Sequence, residues 1–391
     1  MGFSLVSERH RNVMRAAYRA RVAGDRVSLP LRLRLALAAV AVLAACAGPG
    51  ASPPGASGAP DAPPSPTPAA TATTAGRSPT TGPTPSAGAP AWAALTVVGG
   101  PKPREDHTWT VDAEGGSAWL FGGRDRGTVY DDLWRYDLAA DRWQAIQPRG
   151  MRPAGRFGHT ATWVPDVGLV VWSGQAGADF FADLWAFDPA AGSWRELAAG
   201  GARPAPRYGA CAALGPDGSL WISHGFTDTG RFADTRAYDF AAGRWSDETP
   251  AGTLPVKRCL HDCLWAADGR LLLYGGQTDG VASLGDLWAL PPDGTWQEIA
   301  AGPPPRRLYG LATVGARAWL FGGGGREGLL GDLWTLDLAS LGWRQETAAG
   351  APPARSGSTL VHDAARGRLL LFGGLTADGA SADTWALSGI D

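Results

Sequence analysis

The chain has 391 residues, with 35 basic and 37 acidic side chains and a net charge of −2. That near-balance excludes the strongly basic surface on which sequence-independent binding of nucleic acid rests. Its 55 glycines, 31 prolines and 18 tryptophans favour short strands joined by tight turns around large apolar fillers.

Residues 1–34 are rich in arginine (Arg9, Arg11, Arg15, Arg19, Arg21, Arg26, Arg32, Arg34) and carry no core pattern. An apolar run, Leu35 to Ala45, follows and ends Leu43-Ala44-Ala45-Cys46. A basic stretch, a short apolar stretch and small residues read as a secretion signal over 1–45, too short to span a bilayer. The Leu-Ala-Ala-Cys ending resembles the lipobox of bacterial lipoproteins. The resemblance implies that the Cys46 thiol is lipidated and becomes the mature N-terminus. The basic region is long for such a signal, and Met14 is an alternative start to Met1. Residues 46–91 consist almost wholly of Pro, Ala, Gly, Ser and Thr, which bury too little apolar surface to offset ordering, and so read as a disordered tether. The expected location is outside a bacterial membrane, anchored by lipid and facing the periplasm or the cell exterior.

From residue 92 the chain repeats itself six times with a period of about fifty residues, the sign of propeller blades. A head arginine is read at Arg104, Arg156, Arg207, Arg258, Arg307 and Arg355. A glycine pair closes the second strand at Gly122-Gly123, Gly275-Gly276, Gly322-Gly323 and Gly373-Gly374, and is altered to Ser173-Gly174 and His224-Gly225. An aspartate follows at Asp132, Asp183, Asp234, Asp286, Asp332 and Asp383, with Trp two residues on except at Arg236. A closing Trp stands at Trp92, Trp143, Trp194, Trp245, Trp296 and Trp343. In the fourth unit, strands are expected over 261–265, 270–274, 286–290 and 296–299. The sixth unit lacks a fourth strand, whereas Trp92-Ala-Ala-Leu-Thr-Val-Val98 precedes the first head arginine with no blade of its own. The N-terminal strand is therefore expected to complete the last blade, closing an all-β ring of six over residues 92–391 and removing its open edges.

The Pro-Arg-x-x-His mark (Pro103, Arg104, His107), the apolar-Gly-Gly mark (Phe121-Gly122-Gly123), Asp-x-Trp and the closing Trp resemble the kelch repeat. The resemblance implies a six-bladed kelch β-propeller preceded by signal and tether. It leaves function open, because such propellers include protein-binding modules, sugar mutarotases and copper oxidases.

The head arginines are expected near the channel mouth, either binding carboxylates through paired hydrogen bonds or simply pairing with the repeated aspartates. With them, Arg124, Arg126, Phe181, Arg231, Phe232 and Arg326, on the loops between second and third strands, are the candidate ligand-binding residues. Cys259, His261 and Cys263 alternate, as metal ligands on one strand face would, but His261 is the repeat's own His, matched by His107 and His159. No metal or cofactor is expected. Three cysteines besides Cys46 do not imply a complete disulfide framework. Tyr208 and Cys259 match in adjacent units, as in the Tyr–Cys pair of copper radical oxidases, whose extra C-terminal domain has no residues left for it here. Gly323 to Gly328 has dinucleotide-loop spacing but opens no helix. The resulting expectation is a monomeric, non-catalytic module that binds a protein or glycan through its loop face. The alternative is a sugar-active enzyme resembling the kelch mutarotases.

Overall fold

Every repeat becomes a four-stranded antiparallel sheet, and six such sheets stand around one axis. The structure, a computed structural model, describes residues 88–391 apart from 293, 300, 301 and 391. The expected signal peptide, Cys46 and the tether up to residue 87 lie outside the described residues.

The first blade runs from the axis outward as Thr108–Val111, Ser117–Phe121, Leu133–Asp137 and Arg142–Ile146. The fourth runs as Asp262–Trp265, Leu271–Gln277, Ser283–Leu290 and Gln297–Ile299. Its middle strands outrun the sequence expectation because pairing resumes beyond a register shift at Gly275, with Gly276 opposite Leu284 and Gln277 opposite Ser283. In blade one the same region is a separate hairpin of Arg124–Asp125 against Thr128–Val129.

The ring closes as the orphan strand required. Ala91–Leu95 pairs antiparallel with Thr384–Ser388, and the last sheet continues through Arg368–Phe372 to Thr359–Asp363. Outer edges are covered as well. Gly200–Gly201 runs parallel to Arg244 and Trp245 of the third blade, and parallel bridges join Arg149 to Ser193 and Ala91 to Ala349. A connecting segment laid on an outer strand occupies groups that would otherwise invite another chain.

The second strands are buried on both faces over most of their length, because each lies inside its sheet and between neighbouring sheets. Ser117–Phe121, Gly168–Trp172 and Arg368–Phe372 are buried throughout. Full burial of one such Leu, Val or Phe contributes roughly 1.5–3 kcal/mol relative to exposure. The glycine pair follows from the same crowding. A Cβ on Gly122 would lie 2.5 Å from the Arg156 carbonyl oxygen, and one on Gly123 would lie 2.7 Å from the His107 Cβ. Ser173 and His224, in place of the first glycine, adopt φ of 66° and 58°. Ser173 recovers part of the cost by donating its hydroxyl to the Arg207 carbonyl at 2.9 Å.

Candidate functional site: the hairpin face and the channel beneath it

The head arginines are wholly buried, and each makes the same set of bonds. Arg207 shows the pattern: Nη1 and Nη2 donate to the two oxygens of Asp234 at 2.6 and 3.0 Å, Nη1 to the His224 carbonyl at 2.7 Å, and Nε to the Ala205 carbonyl at 3.1 Å. Arg104–Asp132, Arg156–Asp183, Arg258–Asp286 and Arg355–Asp383 repeat it. In the fifth blade the residue is Arg306, paired with Asp332, and not Arg307 as the sequence reading had it. Arg307 instead donates to the Ser283 hydroxyl at 2.9 Å. The two arginines are adjacent, and it is Arg306, three residues before Tyr309 as Arg104, Arg156 and Arg258 are three before His107, His159 and His261, that pairs with the aspartate.

Burial would raise each of these aspartates, but hydrogen bonds from the paired arginine and its charge hold them below the usual carboxylate range. The Asp-x-Trp mark belongs to the same unit, since the indole N–H of Trp134, Trp185, Trp288, Trp334 and Trp385 donates to the second aspartate oxygen. Arg236, which departs from the repeat, keeps the contact by donating Nε to Asp234 at 3.1 Å. Phe181 and Phe232 lie 4.2 and 4.0 Å from the guanidinium carbons of Arg156 and Arg207, as Tyr130 lies 4.1 Å from that of Arg104. These aromatics cap the buried cations.

Two residues after each head arginine, six residues adopt a left-handed backbone: Asp106, Gly158, Gly209, Leu260, Leu308 and Gly357. Each N–H donates to the carbonyl of its counterpart in the preceding blade, at 2.7–3.1 Å, and the bonds close a ring around the axis. Side chains lean across this ring onto neighbouring glycines. A Cβ on Gly158 would lie 2.0 Å from the Tyr208 ring, one on Gly209 2.8 Å from Leu260, and one on Gly357 2.9 Å from an Asp106 carboxylate oxygen. The ring is therefore crowded at the axis, and the hairpins surround it as one face.

One side of this face is charged. Arg124 reaches Asp106 at 2.9 Å and Glu105 at 3.2 Å, and its guanidinium carbon lies 4.3 Å from the Phe157 ring. Burial and then the charge of Asp106 raise the Glu105 carboxyl despite the opposing pull of Arg124. Two carboxylates thus share one guanidinium. The other side is apolar, with Phe226, Cys259 and Leu260 packed beneath Phe180, Tyr208 and Leu308. Arg231 pairs with Asp279 across two blades. Arg126 and Arg326 are exposed at hairpin tips and make no ion pair among the described residues.

Of the candidate ligand-binding residues, the structure brings Arg124, Arg126, Arg231 and Arg326 to the hairpin face, holds Arg104, Arg156, Arg207, Arg258 and Arg355 inside, and leaves Arg307 half-buried beside the fifth bracket. Sequence reading passed over Glu105, Asp106 and Phe226, and weighed Tyr208 only as half of a Tyr–Cys pair. A signal was present in the paired acids following Arg104, where the other units carry Phe-Gly, Tyr-Gly, Cys-Leu, Arg-Leu and Ser-Gly.

The sequence left the state of the three cysteines open. Cys211 and Cys263 form a disulfide between the innermost strands of the third and fourth blades, and Cys259 stays a buried thiol. The fourth residue after a head arginine turns toward the next blade and the third toward the preceding one, as Thr108 meets His159 at 2.8 Å and Thr359 meets His107 at 2.9 Å. With Cys263 in the disulfide, the Cys259–His261–Cys263 alternation does not offer three ligands.

The sequence matches the KLHDC2/KLHL20/DRC7 Kelch-repeats domain over residues 89–269 and 243–389. Nearly all the described ring is covered, and the chain belongs to this kelch-repeat family. It is 29% identical over 230 residues to fission yeast (Schizosaccharomyces pombe) Tip elongation aberrant protein 1, covering 55% of this chain and 20% of that protein. It is 29% identical over 212 residues to mouse Rab9 effector protein with kelch motifs, covering 49% and 53%. It is 28% identical over 283 residues to rice Adagio-like protein 1, covering 65% and 44%. The matched stretches span between a fifth and about half of these relatives. Kelch propellers commonly serve as protein-binding modules.

Proposed function

We propose that this chain is an exported, lipid-anchored kelch propeller that binds a protein ligand on the hairpin face. The observation that carries the reading is the division of labour among its arginines. Six are held in identical buried brackets that make the frame, whereas Arg124, Arg126, Arg231 and Arg326 stand on hairpins that differ from blade to blade. Variable side chains on a rigid frame are the usual arrangement of a recognition surface. The name of the mouse relative describes an effector of Rab9, a protein-binding role, which supports the class of ligand and not its identity. Export is supported by the Cys211–Cys263 disulfide, since such bonds persist in oxidising compartments, together with the Leu-Ala-Ala-Cys46 ending and the Pro/Ala/Thr-rich tether.

The test is binding of the purified full chain to arrays of peptides and glycans, beside Arg124→Ala, Arg126→Ala and Arg326→Ala. A peptide hit weakened at least tenfold by these substitutions supports the reading. A hit that survives all three moves the site off this face, and a hit to glycans alone replaces the ligand class. Anchoring is tested by mass spectrometry of the cellular protein, where Cys46→Ser should abolish the lipid adduct and release the chain from the membrane.

A further inference from the structure

The seam between blades three and four departs from the repeat in several ways at once. His261, the third residue after its head arginine, turns toward the preceding blade and meets the His224 ring at 5.5 Å between centroids. At the same place His107 and His159 meet Phe372 and Phe121 at 5.4 Å, and Tyr309 meets Tyr274 at 5.6 Å. Blades three and six have Ala210 and Ser358 there. His224 itself stands where four units have glycine, at a φ of 58°. Two residues after His261, the Cys211–Cys263 disulfide ties the innermost strands of the same two blades. At the hairpin face Arg231 pairs with Asp279 across the seam, but that acid is 80% exposed and the pair contributes little.

We infer that this seam is an acid-opened joint, at which the facing histidines part while the disulfide keeps the innermost strands together. The number of histidines decides which seam yields first. Both rings are buried and neutral: burial first, then the charge of Arg258 for His224 and the His224 ring for His261, hold them below their ordinary range. The groups facing them do not reverse this. The Ser223 hydroxyl lies 2.7 Å from His224 Nδ1, the Pro255 carbonyl lies 3.4 Å from Nε2, and the Ser223 carbonyl faces His261. Arg207 and Arg258 are paired with Asp234 and Asp286, and Asp262, next to His261, lines the axial cavity. Once parted, each ring titrates near its usual value of about 6.5. Opening then takes up one proton per histidine, so from pH 7 to pH 5 its equilibrium rises about 25-fold for one and about 600-fold for two. A seam with one histidine, as between blades one and two, does not match that.

The joint runs under the apolar side of the hairpin face. Tyr208 and Phe226 of blade three pack with Cys259 and Leu260 of blade four, and a Cβ on Gly209 would lie 3.4 Å from the Cys259 Cβ. Parting the seam uncovers the Cys259 thiol, which is 2% exposed when the seam is closed. It also divides a surface that the proposed function uses, so a ligand seated there should be released in acid. Only that consequence rests on the proposed function, and the joint itself is tested without a ligand.

The experiment follows the reaction of Cys259 with a dipyridyl disulfide in the full chain carrying Cys46→Ser, at pH 7 and pH 5. Each rate is divided by that of a cysteine peptide at the same pH. The corrected rate should rise about 600-fold, and only about 25-fold when His224→Asn is added, since asparagine tolerates the left-handed backbone but does not titrate. Amide hydrogen exchange, corrected for its intrinsic pH dependence, should show protection lost in acid at 220–226 and 259–265 before 118–123 and 157–163, which flank the one-histidine seam of blades one and two. A wild-type rise of 25-fold or less, an equal rise in the His224→Asn chain, or protection lost evenly around the ring overturns the joint. If His224→Asn does not fold, the wild-type rates and the order of exchange decide by the same criteria.

Discussion

At the scale of the residue, the molecule is governed by what its arginines are bonded to. A guanidinium with no exposed surface, held by a bidentate carboxylate and two carbonyls, has been removed from water and repaid only by those four contacts. Removing it leaves an aspartate with a charge and no partner, which costs about 3–5 kcal/mol for a buried pair. Arg306→Ala should therefore lower the unfolding free energy obtained by urea titration by that amount, whereas Arg307→Ala, which loses one hydrogen bond to Ser283, should change it by about 1 kcal/mol or less. The reverse order of the two would place the fifth bracket at Arg307 after all. The reading of these residues from sequence shows where pattern fails. The recurrence of Arg and Asp revealed that a pair was possible, but solvent exposure decides whether such an arginine is a binding group or a frame member. Exposure depends on six sheets packed together, not on local spacing.

At the scale of the element, most of the blade was legible. Glycine pairs, Asp-x-Trp and closing tryptophans mark fixed places in one twisted sheet, and the orphan strand at 91–95 announced its partner through the missing fourth strand of the last unit. The strand ends were less legible, because Gly275-Gly276 looks like a stop and the register shift there lets the pairing continue to Gln277. The disulfide was hidden for a related reason. Alternation within one strand assigns faces, but a bond between innermost strands of two blades depends on how those faces meet. The link closes a loop with a sequence separation of 52 residues. In the chain-entropy account a loop of that size stabilises the fold by about 4 kcal/mol. The double variant Cys211→Ala/Cys263→Ala should lose stability of that order in denaturant titration, and dithiothreitol should lower the wild-type midpoint while leaving the variant unchanged. An unchanged wild type in reductant would mean that the pair does not carry this strain on the unfolded chain.

At the scale of the whole molecule, the ring holds more buried histidine than its acids can offset, which fixes the sign of its response to pH. Burial, in the first place, depresses His107, His159, His224 and His261, to about 3 in the case of His159 and His224. A group depressed in the folded state binds its proton more readily when unfolded, so the stability it contributes is complete above about pH 6.5 and is lost as the pH falls. Burial raises Glu105 and Asp262, which act in the opposite direction, favouring the folded state more as the pH drops from about 7 toward 4. Four histidines against two acids leave a net of about two protons taken up on unfolding near pH 5.5, a slope of at most about 2.7 kcal/mol per pH unit. Below about pH 4 the six bracket aspartates add to the loss, because their depressed carboxyls contribute stability only while ionised. Denaturant midpoints should stay nearly level between about pH 7.5 and 7, fall from there to pH 4, and fall more steeply at the acid end. A midpoint that rises between pH 6.5 and pH 5 would show that Glu105 and Asp262 outweigh the histidines. The two raised carboxyls, rather than the buried histidines, would then set the response of the closed ring to acid.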